Sequence, residues 1–174
     1  EIVNIFSENE KSLKFFVSPN QVLLETSLTE VAHPQLQFTS RLVEGEYPNY
    51  KEIIPKEFET KIVLPKGEFL SQLKLASLFG GKVNDVKIKT DARNKQIIIS
   101  AQNPDLGENK SSLKCKIEGK DVEISFNFKF LIDGLLNIKS QEVTFELSKE
   151  EGPAILRPVG DQSYLYVVMP IKSS

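Results

Sequence analysis

Apolar positions along this chain follow two periods that take turns. Glu68 to Phe79 sets Phe69, Leu70, Leu73 and Ala76 on one face at helical spacing and stops at Gly80-Gly81, a C-terminal signal. Residues 127–139 set Phe130, Leu131, Leu135 and Ile138 on one face, with Asn127 as N-cap, and the spacing predicts a helix there despite Gly134. After each helix the period drops to two. Val86-Ile88-Thr90, Ile97-Ile99-Ala101 and Leu113-Cys115-Ile117 read as strands with Lys87, Lys89, Lys114 and Lys116 on the opposite face, turning at Asp91 to Lys95 and Asn103 to Asn109. Val143-Phe145-Leu147, facing inward with Thr144 and Glu146 outward, then Ala154 to Val159 and Tyr164 to Ile171 repeat the order.

The unit is therefore a helix and three strands, and a further strand precedes each helix, at Ile62 to Leu64 and Val122 to Phe126. A third copy lacks that leading strand. It starts in a short helical stretch (Ile2, Val3, Ile5, Phe6) and runs through Leu13 to Val17, Val22 to Leu28 and Leu36 to Val43. Two copies make a domain, so residues 56–174 are expected to form one complete α+β domain, and residues 1–55 half of a preceding domain plus a linker. The linker is Tyr47-Pro-Asn-Tyr-Lys-Glu-Ile-Ile-Pro55, which has two prolines and no clear period. Because residue 1 is Glu and the one methionine is Met169, the chain reads as a fragment.

Composition narrows the chemistry. With 174 residues and 40% hydrophobic composition the chain can bury a real core, while a net charge of -2 argues against tight, charge-driven binding to nucleic acid. One Cys and one His exclude disulfide frameworks and multi-ligand zinc sites, and no apolar run is long enough to span a bilayer, so the cytoplasm is the expected location. No phosphate loop, dinucleotide fingerprint, nucleophile elbow or metal triad occurs. His33, in Ala-His-Pro-Gln, reads as a loop residue, and Cys115 as a small hydrophobe on a strand face. No catalytic residue, cofactor or metal ligand is expected.

Two surfaces remain. Lys66, Lys74, Lys129 and Lys139 fall on or beside the two complete helices, which is an ordinary solvated face unless those helices line a channel for DNA. The C-terminal segment Tyr164-Leu-Tyr-Val-Val-Met-Pro-Ile171 is apolar where chain ends are usually polar, and Pro170 should halt the ladder while Met169 offers an adaptable surface to a hydrophobic guest.

Ser40-Arg-Leu-Val-Glu-Gly-Glu-Tyr-Pro-Asn-Tyr-Lys-Glu-Ile-Ile-Pro55, then Glu123-Ile-Ser-Phe-Asn-Phe-Lys-Phe-Leu-Ile-Asp-Gly-Leu135, then Leu156-Arg-Pro158 and Tyr166-Val-Val-Met-Pro170 together resemble the bacterial DNA sliding clamp, the beta subunit of DNA polymerase III. The resemblance covers the second half of the middle clamp domain and the third domain. It implies the DNA-clamp fold, with repeated helix-plus-strands units and helices on one face of antiparallel sheets. It also implies a non-catalytic processivity factor. In full-length form that factor is a homodimeric ring around duplex DNA, held without sequence specificity, while the fragment is expected to be monomeric. Its partners would be the DNA polymerase III alpha subunit, the clamp loader and repair polymerases, each docking a short peptide with a Gln and bulky apolar residues. By position, the peptide groove would use Pro48, Ile53, Val83, Asn127, Phe130, Val167, Val168, Met169 and Pro170. Leu78 and Phe79 would belong to the subunit interface, and Lys66, Lys74, Lys129 and Lys139 would face DNA. Glu52 stands where many relatives have a basic residue, Phe130 replaces a common Tyr, and Val83 is smaller than the frequent aromatic. A second reading is a stand-alone peptide-binding adaptor on the same fold.

Overall fold

The computed structural model describes residue 6 and residues 12–27, 34–149 and 152–172; the expected helical start at residues 1–6 and the loop holding His33 lie outside this description apart from Phe6. The chain divides into two compact units, Glu1–Pro48 and Asn49–Ser174.

In the first unit β1 (Leu13–Val17), β2 (Gln21–Ser27) and β3 (Pro34–Arg41) form an antiparallel meander in that order. Phe15 pairs with Leu24 and Leu24 with Phe38, so these three apolar residues share a face, while Lys14, Glu25 and Gln37 form a polar row on the other. Leu24 and Thr26 are buried, and Phe15 and Val17 on the same face are exposed.

The second unit opens with one helical turn, α1 (Tyr50–Ile53), inside the segment expected to be irregular. Its body contains β4 (Thr60–Pro65), α2 (Lys66–Ser77), β5 (Asp85–Asp91), β6 (Gln96–Asn103), β7 (Gly107–Lys114) and β8 (Lys116–Gly119). A second series follows: β9 (Glu123–Asn127), α3 (Phe128–Leu136), β10 (Glu142–Leu147), β11 (Ala154–Pro158) and β12 (Tyr166–Val168). One sheet has the order β12-β11-β10-β4-β8 and the other β7-β6-β5-β9, with every pairing antiparallel.

The two repeats exchange strands twice. The leading strand of each repeat pairs in the sheet of the other, β4 with β10 and β9 with β5. The third strand of each repeat also changes sheets. Leu113-Cys115-Ile117, expected as one strand, is two: β7 ends at Lys114, Cys115 steps out, and β8 pairs with β4 in the other sheet. Likewise β12 ends at Val168, Met169 steps out, and Pro170 bridges Phe126 while the Ile171 amide donates to the Ser125 carbonyl at 2.8 Å. The β11–β12 ladder stops before Pro170, as the sequence suggests, and Pro170 then makes a single bridge to the other sheet.

The core lies between the sheets and under the helices. Phe145 on β10 stands 5.9 Å from the ring of Phe69 on α2 and 5.6 Å from that of Phe126 on β9, so one aromatic cluster joins both sheets and both repeats. Alternation explains which strand residues enter it: Val143, Phe145 and Leu147 on β10, Ile97, Ile99 and Ala101 on β6. Thr144, expected outward, is also buried, because β10 is an inner strand of its sheet. The helices run antiparallel, side by side. Lys66 Nζ at the start of α2 donates to the Ile138 carbonyl just past α3 at 2.6 Å, and the ring of Phe128 at the start of α3 lies against Gly80 just past α2, where a side chain would collide with it. On α3 the buried stripe is Phe128, Leu131 and Leu135, continued by Ile138. Phe130, expected on that buried face, is 53% exposed, because it lies two residues from Phe128 and so well around the helix from the stripe.

Candidate peptide-docking site

Asn127 is the hinge of the candidate site. Its side-chain oxygen accepts from the Lys129 amide at 3.0 Å, capping α3, and its Nδ2 donates to the Val83 carbonyl at 3.4 Å. One side chain therefore fixes both the helix start and the loop after α2. The Phe128 amide adds a second tie to that loop, donating to the Asn84 carbonyl at 2.9 Å. Asn84 has φ 56°, a left-handed conformation that Asn tolerates better than most residues.

The C-terminal segment reaches the same place from the other sheet. Pro170 bridges Phe126, the residue before Asn127, which brings Met169 alongside. Val83, Phe130 and Met169 are 60%, 53% and 53% exposed, and no one of them belongs to the core cluster. They surround a capped helix start with unburied apolar surface, which suits an apolar guest. Val168 takes no direct part in this surface: it is 2% exposed and packs in the core, while Val167, pointing the opposite way along β12, is half-buried. Ile53 is half-exposed at the end of α1, and Pro48 lies in the first unit.

Residues outside the expected set hold this segment in position. Tyr166 lies on Gly134, where a Cβ would sit 2.6 Å from the tyrosine Cδ1, and the Tyr164 hydroxyl donates to the Gly134 carbonyl at 3.1 Å. Burial raises the pKa of both phenols, with the neighbouring Tyr166 adding to the effect at Tyr164 and Asp133 adding to it at Tyr166. The sequence carried a signal for this: a glycine inside a strongly apolar helix, with Tyr-Leu-Tyr as its counterpart.

Other expected residues divide. Leu78 is 65% exposed just past α2, whereas Phe79 packs partly against the core. Lys74, Lys129 and Lys139 are exposed, and Lys66 is committed to the Ile138 carbonyl. An open hollow of about 820 Å³ lies on the outer face of the four-stranded sheet, lined in part by Lys87, Lys89, Ser100 and Glu123. Three of its charges form one ion-pair cluster. Glu123 accepts from Lys87 at 2.9 Å and Lys89 at 3.0 Å, and these hydrogen bonds hold its carboxyl below the usual range. Cys115 is half-buried at the sheet crossing, and burial pushes its thiol up to about 11, the reverse of what a nucleophile needs. Among the described residues, no group of three or more His, Cys, Asp or Glu is placed to hold a metal, and no helix is long and apolar enough to cross a membrane.

The exchanged two-repeat architecture is that of the sliding clamps. The clamp of Bacillus subtilis superposes with a TM-score of 0.82 at 26% identity, covering 99% of this chain and 44% of that one. The Pseudomonas aeruginosa clamp gives 0.82 at 22% identity, over 98% of this chain and 44% of that one. In sequence, the beta sliding clamp of Staphylococcus aureus is 32% identical over 174 residues, 99% of this chain, and that of Staphylococcus epidermidis 30% over the same length. The chain spans 44% of the length of these curated relatives. The family described as DNA polymerase III beta subunit, C-terminal domain, matches residues 51–172, and the chain belongs to that family.

Proposed function

We propose that this chain supplies the C-terminal portion of a cytoplasmic, non-catalytic processivity factor. Residues 56–174 form its third domain and residues 1–55 the end of its middle domain. What supports this reading is the family match over residues 51–172, together with the exposure of Val83, Phe130 and Met169 and the ties from Asn127 to Val83 and to the start of α3. In the proposal the full-length protein is a homodimeric ring around duplex DNA, with Leu78 at the subunit interface and Lys74, Lys129 and Lys139 making sparse, sequence-blind phosphate contacts. Polymerase, clamp loader and repair polymerases dock short peptides in the groove, whose remaining walls are Ile53, Val167 and Pro170. This chain by itself is monomeric.

A groove for five or six residues is smaller than a standard interface, and micromolar affinity, about -8 kcal/mol, fits it. Titration with a fluorescent Gln-Leu-x-Leu-Phe peptide checks the assignment. Saturable binding is expected, weakened roughly tenfold or more by Met169→Ala or Phe130→Ala with circular dichroism intact. Unchanged affinity in both variants, with the fold preserved, would remove the site from this surface.

A further inference from the structure

The two repeats differ at equivalent seams between helix and third strand. In the second repeat the seam between α3 and β12 is closed by Tyr164 and Tyr166 against Gly134. In the first, the seam between α2 and β7 carries Gln72, Asn109 and Ser111. The correspondence follows from register. Val168 pairs with Ala154 at the inner end of β12, as Leu113 pairs with Ile97 on β7, so Ser111 and Asn109 take the places of Tyr166 and Tyr164. On the helices, Leu73 and Phe69 match Leu135 and Leu131 as buried residues, and Gln72 then matches Gly134.

The positions also agree along the seam. Asn103, which pairs with Gly107, donates from Nδ2 to the Gly80 carbonyl at 3.2 Å, so the end of α2 lies over the start of β7. Stepping back from Gly80 through the closing turn and the last helical turn and a half to Gln72 covers about 12 Å, and stepping along from Gly107 to Ser111 covers about 13 Å of strand. Gln72 thus comes opposite Ser111, with Asn109 one step along the same strand face.

Gln72 Oε1, Asn109 Oδ1 and Ser111 Oγ are all buried, and none has a hydrogen-bond partner among the described residues. Three such orphans in one seam are costly, since each buried polar atom left unpaired costs about 1–3 kcal/mol. Two carbonyl acceptors and one hydroxyl form a complementary set for a single small ligand with two donor hydrogens and a free lone pair. We propose that the α2–β7 seam is a hydration site: one buried water donates to Gln72 Oε1 and Asn109 Oδ1 and accepts from Ser111 Oγ. Three bonds are typical of a buried structural water. The water and the side chains of Gln72 and Asn109 together take the place that two tyrosine rings occupy in the other repeat, and the outermost strand of its sheet rests on a wet contact.

Water-to-protein NOE spectroscopy on the ¹⁵N-labelled chain tests this directly. Long-lived water cross-peaks to the amides of residues 109–111 are expected; a seam without them overturns the proposal. Ser111→Ala gives an independent reading by sign. With the water present it removes one anchor and lowers Tm by roughly 3–6 °C. In a dry seam it deletes an orphaned hydroxyl, and a Tm unchanged or raised is the contrary result.

Discussion

The two repeats of the second unit share a backbone plan and use it for opposite ends. The third strand of the first repeat leaves its sheet after Lys114 and joins the other at Lys116; that of the second leaves after Val168 and bridges the other sheet at Pro170. At the first crossing stands Cys115, half-buried and bonded through its amide to the Lys95 carbonyl at 3.0 Å. At the second stands Met169, exposed next to the Pro170–Phe126 bridge. The plan tolerates either outcome because a crossing residue has left one ladder and not yet joined the next, so its side chain is free of both sheets' alternation. The two crossings differ in what that residue is and how its neighbours fill the seam behind it.

Phe145→Ala breaks the comparison at its root. Phe145 joins the aromatic cluster of both repeats, and its loss should cost about 3–5 kcal/mol in chemical denaturation. A single cooperative transition, with both repeats lost together, is expected; two separated transitions would show that the repeats do not share one core.

Gly134→Ala sharpens it. The new methyl meets the Tyr166 ring, and overpacking of about 1–3 kcal/mol outweighs the gain of about 1 kcal/mol in helix propensity. Peptide binding should weaken as well, because Tyr166 and Val167 lie on β12, which leads directly into Met169. Gln72→Ala at the matching place on α2 meets no ring and should cost about 1 kcal/mol or less.

The smallest effect separates the two crossings by chemistry. With its thiol raised from 9.0 to about 11, Cys115 is almost wholly protonated at pH 8, and alkylation should run far slower in the native chain than in urea. The raised value also fixes a sign: the stabilisation it represents is complete below about 9 and is lost as pH rises toward about 11. Equal alkylation rates in native and unfolded chain would contradict that burial.

Much of this was legible in the sequence because strands of period two and helices of period 3.6 announce themselves wherever one face is buried. The repeat, both helices and most strands follow from Phe69, Leu73, Leu131 and Leu135 and from alternations such as Val143-Phe145-Leu147. What period could not convey is which sheet a strand belongs to. Leu113-Cys115-Ile117 alternates without interruption, yet its two ends pair in different sheets, because inward and outward are the same pattern on either side of a shared core. Helical spacing alone also puts Phe130 on the core face, because an apolar residue beside Leu131 matches the pattern whether or not it is buried. Gly134 looked like a weakness in a helix until Tyr166 was found against it.

The second crossing, and not the first, is the proposed docking surface. The most direct test is ¹⁵N-HSQC mapping of the chain during titration with the Gln-Leu-x-Leu-Phe peptide. Saturating shifts should gather at Val83, Asn127, Lys129, Phe130 and Met169 and leave Cys115, Lys116 and β7 unmoved. Shifts centred on the Cys115 crossing, or spread evenly over both repeats, would contradict the assignment.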